Sequence, residues 1–184
     1  EAAKRLRLEG RDDIRFCLVG DGAMRQSLQR QAQRGGVSDM VIFTGRMPKE
    51  AMPAVLASSD ACLVHLRGCK LFETVVPSKL FEIMAMERPI IMGVKGGARS
   101  IIKEAGAGVM MEPDCPESLI DAIRHLKAEK QAGRVPAAGA RFYVAERYSR
   151  DILAASYATL LQSMMDPSVP NSASIPHIPT EKPS

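Results

Sequence analysis

The chain has 184 residues, enough for one domain with a real core. Its hydrophobic content of 46% is that of a globular protein, and 25 Lys and Arg against 21 Asp and Glu leave a net charge of only +4. The basic residues are interspersed with acids, which argues against a nucleic-acid binder. No apolar run approaches the roughly 20 residues needed to span a bilayer. Cys17, Cys62, Cys69 and Cys115 show no C-x-x-C spacing, and three of them sit in or beside apolar runs. Free, buried thiols in a reducing compartment are expected. His65, His125 and His177 are too dispersed for a metal site, and the 11 methionines read as core filling.

In chain order, Glu1-Ala2-Ala3-Lys4-Arg5-Leu6 reads as the middle of a helix, so a piece of a longer protein is expected. Ile14 to Val19 is a predicted strand ending at Gly20-Asp21-Gly22. Ala23 to Arg34 is a helix with Met24, Leu28 and Ala32 along one side. Met40 to Phe43 is a short strand ending at Thr44-Gly45, and a helix follows over about 50–58, with Pro53 in its first turn. Asp60 to Leu66 is a buried strand with His65 packed near its end, and 67–77 is a loop. A helix starts at Pro77-Ser78-Lys79 and runs to about Glu87. Pro89 to Met92 is a strand, 93–97 a glycine-rich loop, Ala98 to Ala105 a helix and Gly108 to Met111 a strand. Pro116 to about Glu129 is amphipathic, with Leu119, Ile123 and Leu126 on one face.

Short, almost wholly apolar strands separated by helices argue for a doubly wound α/β domain with a parallel sheet. Ligands of such sheets bind at the carboxyl ends of the strands. The helix start at Pro77 to Glu82 is the most informative stretch. Free N–H groups and the positive end of the helix dipole favour a phosphate there. Ser78 is expected to cap the helix. Glu82, one turn on, offers an acceptor to sugar hydroxyls. A dinucleotide fingerprint is absent, because Gly20-Asp21-Gly22 continues as Ala23-Met24-Arg25 and lacks G-x-G-x-x-G. Beyond residue 130, a linker over 133–139 leads into two helical stretches between Arg141 and Met165, broken near Ser149. The stretch from Asp166 to Ser184 has five prolines and is a predicted disordered tail.

Taken together, seven segments resemble the carboxyl-terminal half of the retaining, nucleotide-sugar-dependent "group 1" glycosyltransferases, whose GT-B fold pairs two Rossmann-like domains. They are Phe16 to Gly22, Val41 to Gly45, Ser59 to Val64, Pro77 to Glu82, Met84 to Ile90, Gly96-Gly97 and Gly106 to Val109. The run from Thr74 to Glu82 is similar to a subgroup that builds bacterial polysaccharides. By that resemblance, residues 1–130 form the nucleotide-sugar-binding domain. Residues 131–165 are a linker and helices that pack back on it or toward an amino-terminal acceptor domain, and 166–184 is the tail.

The resemblance also implies roles. Glu82 matches the second glutamate of an E-x7-E motif and accepts from the donor ribose. The first glutamate of that motif falls at Thr74, which offers a hydroxyl and no charge beside the donor sugar. The amides at Ser78 and Lys79, which follow Pro77, hold the donor phosphate, and Lys79 is the cation facing the leaving diphosphate. Gly45-Arg46-Met47 cradles the base, and Gly20 to Gly22 face the cleft. Glu87 stands where the family has a glycine helix stop. The implied donor is UDP-linked, with an N-acetylamino sugar. No metal or other cofactor is implied. The acceptor is a glycan or lipid-linked molecule, and the place is the cytoplasm, at the inner face of the cytoplasmic membrane. A sugar-nucleotide epimerase and a noncatalytic nucleotide-binding module are the alternatives.

Overall fold

A computed structural model describes residues 1–165; the predicted tail lies outside the described residues. The chain alternates as the apolar runs predict. Helix α1 (Ala2–Leu8) leads to β1 (Phe16–Val19), α2 (Arg25–Arg34) and β2 (Val41–Gly45). A 3-10 turn (Lys49–Ala51) runs into α3 (Met52–Ala57) and β3 (Cys62–His65). Then come α4 (Lys70–Glu73), α5 (Lys79–Ala85), β4 (Ile90–Gly93), α6 (Gly97–Glu104), β5 (Gly108–Met110) and α7 (Pro116–Gln131). Helices α8 (Ala140–Tyr148) and α9 (Arg150–Met165) close the described chain.

The strands pair in parallel, but they form two ladders. One is β1–β2, with Phe16 opposite Val41. The other is β3–β4–β5, with Cys62 opposite Ile90 and Ile90 opposite Gly108. β1 and β3 do not pair with each other, so the predicted parallel sheet is divided between them. Helix α7 joins the halves. Its Ile120 is buried with Leu6 and Met40 beside the first ladder, while Ala122 and Leu126 pack on Ile91 and Met111 of the second. Lys127 of α7 binds Asp13, just ahead of β1, and Lys130 binds Asp60, just ahead of β3.

The main core belongs to the second ladder. Val64, Leu80, Met84, Ile90, Met92, Ile101 and Ile102 are fully buried there. α8 closes this core over α5: Ala137 and Ala140 are buried, Phe81 stacks near Tyr148, and Arg141 Nε donates to the Ala85 carbonyl. Ser149 ends α8 in an extended conformation and accepts from the Ile152 N–H through Oγ, so the predicted break falls where expected.

Two expectations fail for one reason. The predicted apolar side of α2 is largely open, with Met24 62% and Leu28 39% exposed, and only Ala32 buried. Cys17, mid-strand in β1, is exposed rather than buried. A two-stranded ladder has too little surface to cover either. Cys69 is exposed because it lies on the loop before α4.

Candidate functional site

The carboxyl ends of the strands gather the candidate residues in two groups. The first stands at the ends of β1 and β2. Gly20 donates its N–H to the Gly45 carbonyl at 2.9 Å, tying the two strand ends together. Gly45 is buried at φ +73°, a conformation that glycine adopts without strain. The Thr44 hydroxyl donates to the same carbonyl. The Gly22 N–H donates to Asp21 Oδ1, and the Gly22 carbonyl accepts the Arg25 N–H, starting α2. Arg46 and Met47 are exposed on the outgoing loop.

The second group stands at the start of α5, over the buried core. The Leu80 N–H finds the Pro77 carbonyl, and the Phe81 N–H finds that of Ser78. Among the described residues, the backbone N–H groups of Ser78 and Lys79 have no such partner. They remain free donors at the positive end of the helix. Ser78 does not cap as expected. Its backbone is already helical (φ −59°, ψ −32°), and its hydroxyl makes no cap hydrogen bond. A cap needs extended backbone to turn its side chain onto the amides behind it. Lys79 and Glu82 are exposed, in the first turn, and without an ion pair among the described residues. Leu80 and Met84, on the opposite side of the helix, are fully buried and fix its orientation.

Thr74 stands at the end of the turn that precedes this helix. The predicted loop over 67–77 contains a turn of helix, α4, and Thr74 caps its end by donating its hydroxyl to the Leu71 carbonyl at 3.0 Å. The neighbouring Glu73 carbonyl presses on Gly96, where any Cβ would collide with it; Gly96 also sits at φ +77°. The Gly96-Gly97 turn is thus required by the close approach of the loop carrying Thr74. Among the described residues no hydrogen bond or ion pair joins the Gly45 group to the Ser78 group.

Three features escape a reading by motif. His65 accepts the Asp114 N–H on Nε2 at 3.0 Å, and Asp114 Oδ2 accepts the Gly68 N–H at 2.8 Å. This clasp holds the loop leading to α4 against the end of β5. Glu112 takes Lys95 and Arg99, and these two cations hold its carboxyl below the usual carboxylate range. Arg25 lies with its guanidinium against Gly45. Only the last had a sequence signal, an arginine opening the helix after a Gly-Asp-Gly turn. No group of three or more His, Cys, Asp or Glu side chains among the described residues could hold a metal ion. No helix among them is long and apolar enough to cross a membrane.

Parallel α/β ladders, with a helix start over the core and glycine turns at the strand ends, define an α/β domain whose candidate residues gather at the carboxyl ends of its strands. The sequence matches the family "Glycosyl transferases group 1" over residues 1–129, and the chain belongs to that family. It is similar to the GDP-mannose-dependent alpha-(1-6)-phosphatidylinositol monomannoside mannosyltransferase of Mycobacterium tuberculosis, 27% identical over 82% of this chain and 40% of that one. A GDP-mannose-dependent alpha-mannosyltransferase of Mycolicibacterium smegmatis is 33% identical over 67% of this chain and 30% of its own. Among solved structures, Anabaena Alr3699/HepE in complex with UDP-glucose superposes with a TM-score of 0.72 at 20% identity, over 88% of this chain and 44% of that one. The chain therefore spans less than half the length of the proteins it matches.

Proposed function

We propose that this chain is the donor-binding half of a glycosyltransferase. The enzyme moves a sugar from a nucleoside diphosphate to a hydroxyl of a polysaccharide or lipid-linked acceptor, with retained configuration. One observation carries the reading: the unpaired Ser78 and Lys79 amides, the free Lys79 ammonium and the free Glu82 carboxylate share one helix start fixed on a buried core.

The chemistry follows from that arrangement. The bond from the anomeric carbon to the diphosphate oxygen breaks, and charge grows on the leaving phosphate. Aimed amides and a cation stabilise that charge where it develops. The anomeric carbon bonds to the acceptor oxygen on the same face, and the acceptor proton passes to the departing phosphate. Glu82 accepts from the ribose hydroxyls and orients the donor. Thr74 spends its proton on the Leu71 carbonyl, which leaves its oxygen to the donor sugar as an acceptor only. Gly20, Gly22, Gly45, Arg46 and Met47 receive the nucleoside. No metal or other cofactor is invoked. The same reading places the enzyme in the cytoplasm, at the inner membrane face where lipid-linked acceptors lie, and gives the acceptor to a separate domain. The sequence points to a UDP-linked N-acetylamino sugar. The relatives are named for GDP-mannose, and the structural neighbour holds UDP-glucose.

The test is calorimetric titration of the complete protein containing this chain with nucleoside diphosphates, followed by assay with labelled donor and a lipid-linked acceptor. Glu82→Ala and Lys79→Ala should each weaken donor binding at least about tenfold, the cost of about 1.4 kcal/mol per lost charged contact. Residues 1–165 alone should show no useful turnover. Wild-type affinity in both variants would sink the reading. Interconversion of the free nucleotide sugar without transfer would make the protein an epimerase instead.

A further inference from the structure

The loop that follows β3 is held by polar ties rather than by the core. From Arg67 to Val75 only Phe72 is as much as half-buried. The loop contains α4, a single turn with no buried residue and with Leu71 72% exposed. A helix that short does not hold itself. Two contacts fix it from outside. At the far end the Glu73 carbonyl rests on Gly96, beyond β4. At the near end the Gly68 N–H donates to Asp114 Oδ2 at 2.8 Å, beyond β5. Asp114 is held in its turn. Its N–H donates to His65 Nε2 at 3.0 Å, and its backbone stands at φ +55°, a conformation that a side chain adopts only when its surroundings impose it. An imidazole nitrogen accepts only when it carries no proton, so this bond needs a bare Nε2. Room for the ring comes from Gly93, opposite it on β4, where a Cβ would stand 2.8 Å from His65 Cδ2.

We propose that His65 is a positioning residue for the donor sugar: through Asp114 it sets the loop that carries Thr74. This rests on the donor-binding reading above and deepens it. The nucleoside is assigned to the ends of β1 and β2 and the diphosphate to the start of α5. The sugar then extends toward the ends of β4 and β5, where this loop is pinned. Thr74 closes α4 just ahead of the Ser78 amides. His65 touches no donor atom in this account. It holds Asp114, Asp114 holds Gly68, and the loop so placed brings the Thr74 oxygen to the sugar. The effect is specific to the sugar. The Ser78 and Lys79 amides ride on α5, which the fully buried Leu80 and Met84 orient without help from the loop. A loosened loop therefore loses contacts to the sugar and keeps those to the diphosphate.

Calorimetry on the complete protein containing this chain, with GDP-mannose against GDP and UDP-glucose against UDP, tests the assignment. His65→Ala should weaken the nucleotide sugar about tenfold, the worth of one well-placed polar contact, and change the matching diphosphate less than about twofold. His65→Gln offers an oxygen to the Asp114 N–H and should bring the sugar back to within about threefold of the wild-type affinity. Asp114→Gly adopts the positive φ freely and removes the carboxylate alone. It should show the same selective loss, and it carries the test should His65→Ala fail to fold. Equal losses for sugar and diphosphate would make His65 a support of the fold and overturn the assignment. Unchanged sugar affinity in His65→Ala, or a glutamine variant no better than alanine, would overturn it too. In each of these cases diphosphate binding persists and the donor-binding reading stands. Absence of binding by all four nucleotides would defeat that reading and this assignment with it.

Discussion

The two ladders use the same strand chemistry to different ends. In β4 every residue is buried, and the strand runs through a core closed by α5, α6 and α8. In β1 three of four residues are exposed, with Leu18 at 39% and Val19 at 36%, and Ile42 of β2 is 47% exposed. Apolar runs of parallel strands expect cover on both faces, and β4 has it, although Leu63 of the neighbouring β3 is 44% exposed. The consequence for the site is a division of labour. The amides and charges assigned to the diphosphate stand on a helix clamped by a deep core. The glycines assigned to the nucleoside stand on a thin ladder held mainly by α1, α7 and the Gly20–Gly45 tie.

The largest expected effect tests that asymmetry directly. Met92→Ala empties a fully buried position and should cost about 2–5 kcal/mol, whereas Leu18→Ala should cost less than about 1.5 kcal/mol because its surface is already partly wet. Urea unfolding measures both, and equal costs would erase the distinction. Thiol chemistry reads the same contrast without mutation. Cys17 sits mid-strand in β1 and is exposed, while Cys62, half-buried against the core at the start of β3, is pushed up from its ordinary thiol range by burial. Cys17 and Cys69 should be alkylated at least about tenfold faster than Cys62 at neutral pH. Equal rates would mean that the second ladder opens as readily as the first.

Most of the fold was legible because its signals are local. Apolar runs, glycine turns and the Ser149 break are written within a few residues, and their boundaries fall close to those observed. What was not legible depends on partners distant in the chain. Nothing around Ile14 to Val19 tells whether β1 finds a neighbour on both sides, so the exposure of Cys17, Met24 and Leu28 could not be read. The start of α5 is legible as an anion site, but the expected Ser78 cap fails because its backbone is already helical, a conformation no local residue pattern announces. The clasp of His65, Asp114 and Gly68 joins residues up to 49 positions apart and leaves no pattern in the sequence.

Glu87 sharpens the comparison within the well-covered half. It adopts φ +50°, which costs a side chain roughly 1 kcal/mol that glycine avoids. Its carboxylate accepts the Gly139 N–H at 3.1 Å, tying α5 to α8 and offsetting that cost. Glu87→Ala keeps the strain and loses the tie, whereas Glu87→Gly loses both. The glycine variant should therefore be about 1 kcal/mol more stable than the alanine variant in thermal unfolding. If the two melt together, backbone strain at this turn is not stored, and the Gly139 contact alone explains the glutamate.

The smallest effect lies at the carboxyl ends of β4 and β5, where Glu112 gathers Lys95 and Arg99. Hydrogen bonds from Lys95 and then Arg99 lower its pKa from the ordinary 4.5, so the folded state binds a proton less readily than the unfolded one. The contribution is complete above pH 4.5 and is lost as the pH falls through the lower, folded-state value. All three side chains are partly exposed, so salt screens it and the gain in stability is small. At the carboxyl ends of the first ladder the described residues show no counterpart, because Arg25 and Asp21 stand 3.8 Å apart without a hydrogen bond. An NMR titration should place the Glu112 carboxyl midpoint below 4.5, with the amides of 95–99 moving in step. Glu112→Gln should remove that acid-dependent movement and leave the amides of Gly45 and Arg46 where they are. A midpoint at or above 4.5 would show that the strand ends of the deep ladder are no better fastened than those of the thin one.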